Sequence, residues 1–396
     1  MSIIGKKWEY INEGNVHIVI GITGTEYVIR LIKEDEFTTD MDNISNSINF
    51  VNLIMIPLIF GDNRYTEDLI KLSDEEVSQL TINLFHLRPK HRQIKVLSHY
   101  AIRAPNLTII SPNHENFCVE IKPKEGFISA YLGKYSKCYY CLKQFLKLKA
   151  KQIDKISNYC PLDLFSGDRA RMMQALVNLS LNPQNNFKIF KDGKIVYSEK
   201  SRFNDFEKFI LDTQIFKSIN MFLNFIIDIL LCKKKYVHTS DESMQVSSHK
   251  PEKCVDSTSL CPDSFLSKLL TIQKLPEISN ADSINANEGF KYVPVLLKHL
   301  SDKQLNLTNL NDQTEFLKTI DPIHSALISA VAKDCSIMIA FSLQTEKLRP
   351  YIEIGETKIF YRISVTDLEP KPIKTLPKRK KTEQKLLNLY EKYEDM

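Results

Sequence analysis

Two carboxylates in the C-terminal half of the chain stand where strand-like apolar runs begin or end. Asp334 directly precedes the run Cys335–Phe341, and Asp367 directly follows the run Ile363–Thr366. A carboxylate at the end of a buried strand can be held rigidly, as a general base or a metal ligand must be. With basic residues nearby, two such acids suit Mg²⁺-assisted phosphoryl transfer. Acids at strand ends are more commonly ordinary turn residues, and that alternative stays open.

A pair of lysines lies in the segment Glu120–Lys124, which begins as a predicted strand. Alternate side chains of a strand share one face, so Glu120, Lys122 and Lys124 are predicted to point the same way. Two ammonium groups on one face, partly fixed by Pro123, would form a rigid cationic edge suited to phosphates. An exposed edge strand that uses lysine and proline to prevent aggregation explains the pattern equally well.

Four lysines at a spacing of four residues predict a second cationic surface. Lys143, Lys147, Lys151 and Lys155 would share one face of a helix over Cys138–Lys155, where like charges are mildly destabilising. A bound anion would relieve that repulsion, although most such faces are simply solvated. These four lysines follow Lys122 and Lys124 closely in the sequence, which favours an anion site over a solvated face.

Polar turns supply the remaining candidate ligands. Gln184–Asn186 precede a hairpin predicted by Asp192-Gly193, and their amides could bind a polyol or a phosphate. Asparagine at a turn more often bonds its own backbone. Gly14 lies between two predicted strands, where a glycine lets a nucleotide phosphate approach the backbone. Arg30 on the following strand could reach the same phosphates as a fixed cation.

The elements that must position these residues follow from the apolar pattern. β-branched runs at 16–21 and 27–32 predict a hairpin, and late strands are predicted at 337–341 and 359–365. Pro105 marks an extended crossing, and the boundary between two lobes, 1–105 and 106–396, is placed there. Residues 233–263 are rich in Ser, Lys, Asp, His and Pro, which predicts a linker or disordered insertion.

Composition narrows the class of protein. The chain has 396 residues, 43% of them apolar, and 53 basic residues against 48 acidic ones give a net charge of +5. That balance does not indicate a general nucleic-acid binder, so an anion site must come from local clustering. Residues 1–10 show no apolar core of a signal peptide, and the apolar stretch Ile219–Leu231 is shorter than the roughly 20 residues of a membrane helix. A cytoplasmic or nuclear monomer without a membrane or nucleic-acid partner is expected.

Seven ordered segments carry a pattern more specific than any single motif. They are Trp8–Asn15, Val28–Leu31, Val119–Phe127, Tyr159–Gly167, Gln184–Asn186, Ala332–Ile339 and Asp367–Pro372. Together they resemble the inositol-pentakisphosphate 2-kinase family in its animal form, over nearly the whole chain except the insertion and the extreme C-terminus. The resemblance implies an α/β (α+β) fold distantly related to protein kinases, with a β-rich N-terminal lobe, a larger mixed C-terminal lobe and ATP between them.

The resemblance also implies a role for each matched residue. Asp334 would be the acid beside the attacking 2-hydroxyl of inositol 1,3,4,5,6-pentakisphosphate, and Asp367 a Mg²⁺ ligand, so the product would be inositol hexakisphosphate. ATP would contact Gly14, Asn15, Arg30 and, at the hinge, Asn106. The substrate phosphates would be held by Arg88, which favours closure of the lobes, and by Lys122, Lys124, Lys147, Asn185, Asn186 and Lys371.

Two features depart from the family pattern. Thr375 and Arg379 stand where plant members have an arginine and a tyrosine that bind the substrate. Plant members also carry a His/Cys zinc site, for which no equivalent spacing is visible here. Cys138-x-x-Cys141 with Cys160 lacks a clear fourth ligand, so buried free thiols are favoured over a zinc site.

Two other classes of protein make different predictions for this sequence. An ordinary protein kinase should show a glycine-rich loop, a Val-Ala-Ile-Lys strand, His-Arg-Asp and Asp-Phe-Gly, and none is present, since His91-Arg92 is followed by Gln93. A noncatalytic polyphosphate-binding scaffold that kept the fold stays open, although both acids needed for chemistry are intact. The basic run Pro377–Lys381 is compatible with a nuclear import signal, but such runs are usually just solvated.

Overall fold

The computed structural model describes residues 3–34, 40–93, 96–132, 136–232, 254–277 and 284–394, which form two β-sheets packed with helices. The strands are β1 Trp8–Glu13, β2 His17–Ile22, β3 Tyr27–Lys33, β4 Asp68–Lys71, β5 Leu97–Pro105, β6 Phe117–Ile121, β7 Phe187–Lys191, β8 Lys194–Tyr197, β9 Ser336–Ser342, β10 Tyr351–Ile354 and β11 Thr357–Thr366. The α-helices are α1 Met41–Asn49, α2 Ile56–Phe60, α3 Asp74–Phe85, α4 Tyr139–Lys149, α5 Pro161–Leu164, α6 Arg169–Leu181, α7 Phe203–Asp212, α8 Ile219–Leu230, α9 Phe265–Gln273, α10 Tyr292–Asp302, α11 Leu310–Thr319, α12 Pro322–Ala332 and α13 Thr375–Glu394. This mixed α/β architecture confirms the predicted fold class and is consistent with a two-lobed kinase-like fold.

The first sheet is built from the N-terminal strands in the order β1-β2-β3-β5-β4, with antiparallel pairing throughout. β-branched residues alternate along it, and Ile18 and Ile20 are fully buried in the same core cluster as Leu31. Helix α3 begins with a capping box between Ser73 and Glu76. The hairpin predicted for residues 16–32 is confirmed as β2 and β3.

A continuous helical stretch from Met41 to Phe60 follows the first three strands. It consists of α1, a π-helical segment over Phe50–Met55, and α2. The stretch is long and apolar enough to cross a membrane, but 61% of its apolar window is buried inside the protein. Most of its residues from Phe50 onward belong to the same core cluster as residues of the strands β6, β7 and β9. The stretch therefore packs as a core helix.

The second sheet has the strand order β10-β11-β9-β6-β7-β8 and is also antiparallel throughout. Phe117, Phe187 and Phe341 on its strands are buried in the largest core cluster of the protein. Strand β6 is central, between β9 and β7. The alternative that Glu120–Lys124 form an exposed edge strand is therefore wrong.

The most apolar stretch predicted from the sequence is a buried core helix, α8. Its two interrupting polar residues, Asn224 and Asp228, are buried as well. Both bind the guanidinium of Arg169, with Asn224 Oδ1 accepting at 2.7 Å and Asp228 forming an ion pair. A buried polar group needs such a partner, so Asn224 and Asp228 belong to a side-chain network in the core.

The predicted lobe boundary and the predicted insertion both lie outside the helices and strands of the described chain. The first sheet ends at Pro105 and the second begins at Phe117, so the boundary after residue 105 falls between the sheets. Of the predicted insertion, residues 233–253 lie outside the described part of the chain. Residues 254–263 form no helix or strand, but the Ser259 N–H donates to the Ser166 carbonyl at 2.7 Å.

Candidate active site

The register of the second sheet brings the candidate acids and lysines to one end of it. Strand β9 begins and β11 ends at that end, since Ser336 pairs with Thr366. Strand β6 ends and β7 begins there too, because Ile121 lies opposite both Ile337 and Phe187. Directly beyond these strand ends lie Asp334, Asp367, Lys122, Asn185 and Asn186. The ends of rigid strands therefore position these residues together.

Asp334 is held between two lysines. Its Oδ1 accepts a hydrogen bond from Lys124 Nζ at 3.3 Å, and its Oδ2 accepts one from Lys371 Nζ at 2.8 Å. Burial alone would raise the pKa of the Asp334 carboxyl, but Lys124 and Lys371 lower that pKa to about 2. The carboxylate is therefore ionised at neutral pH, and 58% of the side chain stays exposed and accessible to a ligand.

Asp367 lies next to a second carboxylate. Its Oδ2 accepts a hydrogen bond from Lys122 Nζ at 2.9 Å and lies 3.2 Å from the Ser336 hydroxyl. The same hydroxyl lies 3.0 Å from Glu120 Oε1, and Glu120 Oε2 accepts from Lys188 at 3.2 Å. Burial lowers the pKa of Lys122, but Asp367 more than offsets this and raises it. Asp367 is half exposed and Glu120 is largely buried. Carboxylate oxygens are the ligands that Mg²⁺ prefers, so this donor set fits a Mg²⁺ site.

Two further lysines approach this cluster from helix α4. Burial and the neighbouring Lys124 lower the pKa of Lys143, and burial, Lys143 and Lys124 lower the pKa of Lys147. Within the described part of the chain, neither forms an ion pair with an acid. Helix α4 ends at Lys149 and Lys151 has a left-handed φ of 53°, so the predicted four-lysine helix face is wrong for Lys151 and Lys155. The remaining pair leaves positive charge available to an anion.

The loop after β6 differs from the predicted alternating strand. Strand β6 ends at Ile121, and Lys124 has a left-handed φ of 61°. The Lys122 N–H donates to the Asn186 carbonyl at 2.9 Å, and the Tyr159 hydroxyl donates to the Pro123 carbonyl at 2.7 Å. Strand β6 thus ends before Lys122, and the prediction that strand alternation places Lys122 and Lys124 on one face is wrong. Both lysines reach the acids from the loop that follows the strand.

Asn185 and Asn186 form a tight turn directly before β7. Asn185 has a left-handed φ of 63° and is exposed, and the Asn186 N–H donates to the Pro183 carbonyl at 2.6 Å. Asn186 is buried, with its Nδ2 3.4 Å from the Tyr140 hydroxyl. The backbone of Asn186 closes the turn, and the side-chain contact of Asn186 goes to Tyr140 instead of its own backbone. Asn185 presents an exposed amide next to this turn.

The residues predicted to bind nucleotide phosphates lie on the first sheet. Gly14 and Asn15 form the turn between β1 and β2, and a Cβ at Gly14 would meet only the His17 carbonyl at 3.9 Å. Packing therefore does not require glycine at this position. Arg30 pairs with Glu67 at 2.9 Å and also with Glu369. Since Glu369 follows Asp367 closely in the chain, Arg30 reaches from the first sheet to the segment of the candidate metal ligand.

Arg88 and Asn106 contact other parts of the protein. The Arg88 guanidinium binds both carboxylate oxygens of Glu13, at 3.1 and 3.2 Å, and its side chain is buried. Asn106 is buried after β5, where its Oδ1 accepts from the Thr108 hydroxyl at 2.6 Å and its N–H donates to the Glu26 carbonyl at 2.8 Å. The ligand roles of Arg88 and Asn106 stay predictions, because these contacts neither require nor exclude them.

Arg379 is engaged by acids of the protein. Its guanidinium binds Glu125 through two hydrogen bonds of 2.5 and 2.7 Å and Glu383 at 2.9 Å. The guanidinium also lies 4.5 Å from the centre of the Tyr139 ring. Arg379 therefore holds α13 against α4 and the loop after Lys124, and Thr375 is the first residue of that helix.

Four cysteines form a separate cluster. The sulfur atoms of Cys138, Cys141, Cys160 and Cys254 all lie within 4.8 Å of one another. Hydrogen bonding from Cys138 lowers the pKa of the Cys254 thiol despite its partial burial. Four sulfur donors at one point are the ligand set of a structural zinc site. The prediction that Cys138, Cys141 and Cys160 lack a fourth ligand is therefore wrong, because the insertion supplies Cys254.

Three contributors were not singled out from the sequence, namely Ser336, Glu369 and Cys254. Ser336 lies within a matched segment, and Glu369 lies between the matched pairs Asp367-Leu368 and Lys371-Pro372. The pairing of Ser336 with Thr366 would have placed Ser336 beside Asp367 if the register had been known. Cys254 carried no signal, because it lies 94 residues from Cys160 within a polar insertion.

The fold and the site together define the class of protein. The protein has two sheets, and one end of the second sheet carries an ionised acid, a pair of carboxylates and several lysines. These groups suit a kinase whose substrate is rich in phosphate. A family model described as Inositol-pentakisphosphate 2-kinase matches residues 10–385. The chain belongs to the inositol-pentakisphosphate 2-kinase family, and the predicted resemblance is confirmed.

Named relatives agree with this family. A protein named Inositol-pentakisphosphate 2-kinase from Danio rerio is 28% identical over 451 residues, which covers 97% of this chain and 92% of that protein. The protein of the same name from Arabidopsis thaliana is 25% identical over 372 residues, covering 86% and 76%. The one from Drosophila melanogaster is 30% identical over 177 residues, covering 37% and 28%.

Proposed function

We propose that the chain transfers the γ-phosphoryl group of ATP to the 2-hydroxyl of inositol 1,3,4,5,6-pentakisphosphate, which gives inositol hexakisphosphate and ADP. The observation that carries the proposal is Asp334, ionised between Lys124 and Lys371, beside Lys143 and Lys147, which form no ion pair within the described part of the chain. Like charges this close oppose one another unless an anion relieves them. A ring crowded with phosphates is such an anion, and its one free hydroxyl would lie beside the carboxylate.

The lysines bind the ring, and the acid orients the attacking hydroxyl. Lys122, Lys124, Lys147 and Lys371 would contact ring phosphates, with Asn185 as an amide ligand and Arg88 as a cation from the first lobe. As the phosphates draw Lys124 and Lys371 toward themselves, the pKa of Asp334 rises and its carboxylate becomes a better base.

Transfer of the phosphoryl group forms one phosphorus–oxygen bond and breaks another. The ring oxygen attacks the γ-phosphorus, and the bond between that phosphorus and the oxygen that leaves with ADP breaks. The proton of the 2-hydroxyl passes to the Asp334 carboxylate and then to solvent. The protein supplies position and charge, which are the main contributions in phosphoryl transfer.

The nucleotide side would use Asp367 and the first sheet. Asp367, with Glu120 beside it, would hold the Mg²⁺ that neutralises charge on the transferred phosphoryl group. Arg30, together with the turn at Gly14 and Asn15, would contact the phosphates of ATP. Asn106 would contribute at the connection between the lobes, where the backbone runs next to Glu26.

We further propose a monomer that acts in the cytoplasm or nucleus on small molecules alone, without nucleic acid or membrane. The near balance of 53 basic and 48 acidic residues supports local anion binding. None of the eight cysteines forms a disulfide, as is usual in a reducing compartment. The basic run Pro377–Lys381 lies within α13, where Arg379 is bound by Glu125, and this weakens its interpretation as an import signal.

The test is incubation of the purified chain with ATP, Mg²⁺ and inositol 1,3,4,5,6-pentakisphosphate. Formation of inositol hexakisphosphate is expected, and Asp334→Asn should lower kcat by about 10²–10⁴-fold because a positioned acid is lost. Asp302→Asn, at an exposed acid paired with Lys298, is the matched control and should keep full activity. A folded wild-type chain that forms no hexakisphosphate would leave the noncatalytic scaffold as the remaining interpretation.

We also propose that Cys138, Cys141, Cys160 and Cys254 hold a structural zinc ion. Their four sulfur atoms within 4.8 Å of one another support this, and a closed four-cysteine set leaves no open position for a substrate. Bound there, the ion would tie the end of the insertion to the start of α4 and to α5.

A further inference from the structure

Gln273, the last residue of α9, is fully buried, and its side-chain amide binds the backbone of two different segments. Nε2 donates to the Lys124 carbonyl at 2.9 Å and to the Ala332 carbonyl at 3.0 Å. Oε1 accepts from the Gly126 N–H at 2.9 Å. Both amide hydrogens and the amide oxygen are therefore used, and the group is held in one orientation.

The two segments carry side chains that meet in the site. The loop with Lys124 follows β6, and Ala332 ends α12 just before Asp334. The Lys124 ammonium and the Asp334 carboxylate are 3.3 Å apart. One buried amide thus links the backbone that carries the lysine to the backbone that carries the acid.

Both segments need a partner of this kind. The left-handed φ of 61° at Lys124 is a strained conformation that persists only when its surroundings fix it. At Gly126 a Cβ would overlap the Phe165 ring, so the loop is packed tightly against α5. The Ala332 carbonyl ends a helix, where carbonyls lack intrahelical N–H partners.

Helix α9 is anchored in turn. The Ser329 hydroxyl of α12 donates to the Gln273 backbone carbonyl at 2.7 Å, so the side chain and the main chain of Gln273 both contact α12 or its end. The side-chain amide of Gln273 is therefore held in place by α9 and α12. Its loss would allow the loop of Lys124 and the segment of Asp334 to move relative to one another.

We propose that Gln273 is a positioning residue for phosphoryl transfer, which sets the distance between the Lys124 ammonium and the Asp334 carboxylate from behind the site. The inference rests on the proposed function and adds to it a residue that touches neither substrate. Loss of Gln273 should affect kcat more than binding of ATP, because the proposed nucleotide contacts lie on the first sheet.

The test variant is Gln273→Met, which keeps the volume and removes all three hydrogen bonds. Its kcat should fall by about 10–100-fold, since misplacement of reacting groups by about 1 Å can cost 10²-fold. KM for ATP should stay unchanged. The matched control is Gln144→Met, because Gln144 is equally buried and, within the described residues, its Oε1 accepts from the Ser157 N–H at 3.1 Å and not from the segments of Lys124 and Ala332. This control should lose stability and keep kcat.

A second variant covers the case in which Gln273→Met does not fold. Gln273→Glu keeps the shape and the acceptor for Gly126, and a buried carboxyl has a raised pKa. Its protonated form can donate to one of the two carbonyls, so kcat relative to wild type should rise as the pH is lowered. Wild-type kcat in folded Gln273→Met, an equal loss of kcat in Gln144→Met, or Gln273→Glu indistinguishable from wild type at every pH would overturn the inference. No product from the wild type would instead contradict the proposed function itself.

Discussion

At the scale of residues, the ion pairs of the site differ from those that hold the fold. Asp334 and Asp367, which pair with the site lysines, are 58% and 50% exposed. Exposed pairs of this kind contribute only about 0–1 kcal/mol each. The carboxylate of Glu125, in its two-bond contact with Arg379, is only 7% exposed. Substrate phosphates can therefore displace the first kind at little cost, while the second stays in place.

Lys371 should control the protonation of Asp334. It is one of two lysines that hold the pKa of this carboxyl at about 2, against an ordinary 3.8. Because the folded-state pKa is the lower one, ionised Asp334 stabilises the protein above the ordinary pKa, and this contribution is lost as the pH falls through about 2. Lys371→Met should raise the pKa and move that loss to higher pH.

The measurement is a titration of the aspartate carboxyl carbons by NMR, with Asp334→Asn to assign the signal. Lys374→Met, at an exposed lysine in the same segment, serves as the control and should leave the pKa of Asp334 where it is. An Asp334 signal that titrates identically in Lys371→Met and wild type would show that Lys371 does not act on this carboxyl.

Lys147 should contribute mainly to binding of the inositol phosphate. A hydrogen bond to a charged group is worth about 1.5–3 kcal/mol, so Lys147→Ala should raise KM for inositol pentakisphosphate about tenfold or more. The effect should shrink at high salt, where charges are screened. Lys149→Ala, at an exposed lysine on the same helix, should match wild type. Steady-state kinetics at two ionic strengths decide this, and equal KM values in the two variants would exclude Lys147 from the site.

At the scale of elements, periodicity predicted the strands and helices on which the site is built. The Asp192-Gly193 hairpin, the paired strands β2 and β3 and the strand starts and ends around Asp334 and Asp367 all follow from local pattern. Local pattern works here because these strands alternate or are wholly apolar, which fixes their faces and ends.

Long-range contacts account for what the sequence did not show. The left-handed turn at Lys124 has a partner far along the chain, because its carbonyl accepts from the Gln273 side chain. Gln273 lies 149 residues from Lys124, and Cys254 lies 116 residues from Cys138. Neither pairing leaves a local signal, so the positioning amide and the fourth sulfur ligand became visible only in three dimensions.

Metal analysis of the purified chain should find one zinc ion per molecule, lost on Cys254→Ser. An ion present at 1,000 times its Kd stabilises a protein by about 4.1 kcal/mol, so both this variant and treatment with a strong chelator should lower Tm. Cys261→Ser, at an exposed cysteine in the same segment, should change neither zinc content nor Tm. A full complement of zinc in Cys254→Ser would rule out the four-cysteine site.

At the scale of the whole molecule, the N-terminal part of the chain contacts the second half of the chain both beside the site and at the opposite end of the second sheet. Arg30 pairs with Glu369, Lys347 pairs with Glu26 at 2.6 Å, and the Tyr65 hydroxyl binds the Val365 carbonyl. The segment after β11 thus carries both the candidate metal ligand and an acid bound by the other sheet. Nucleotide phosphates at Arg30 would compete with Glu67 and Glu369 for its guanidinium.

Arg30→Ala should therefore raise KM for ATP by about tenfold or more, because a charged contact to phosphate is lost. KM for inositol pentakisphosphate should stay near the wild-type value. Arg103→Ala, which removes another arginine of the first sheet that pairs with Asp68, provides the control. If the two variants have the same KM for ATP, Arg30 does not contact the nucleotide.

The most direct measurement is a crystal structure of the chain with inositol pentakisphosphate, Mg²⁺ and a nonhydrolysable ATP analogue. We expect ring phosphates within hydrogen-bonding distance, about 2.7–3.2 Å, of Lys122, Lys124 and Lys147, with the free 2-hydroxyl against the Asp334 carboxylate. A ring bound away from this end of the second sheet, or one that turns a phosphate-bearing carbon toward Asp334, would contradict the account.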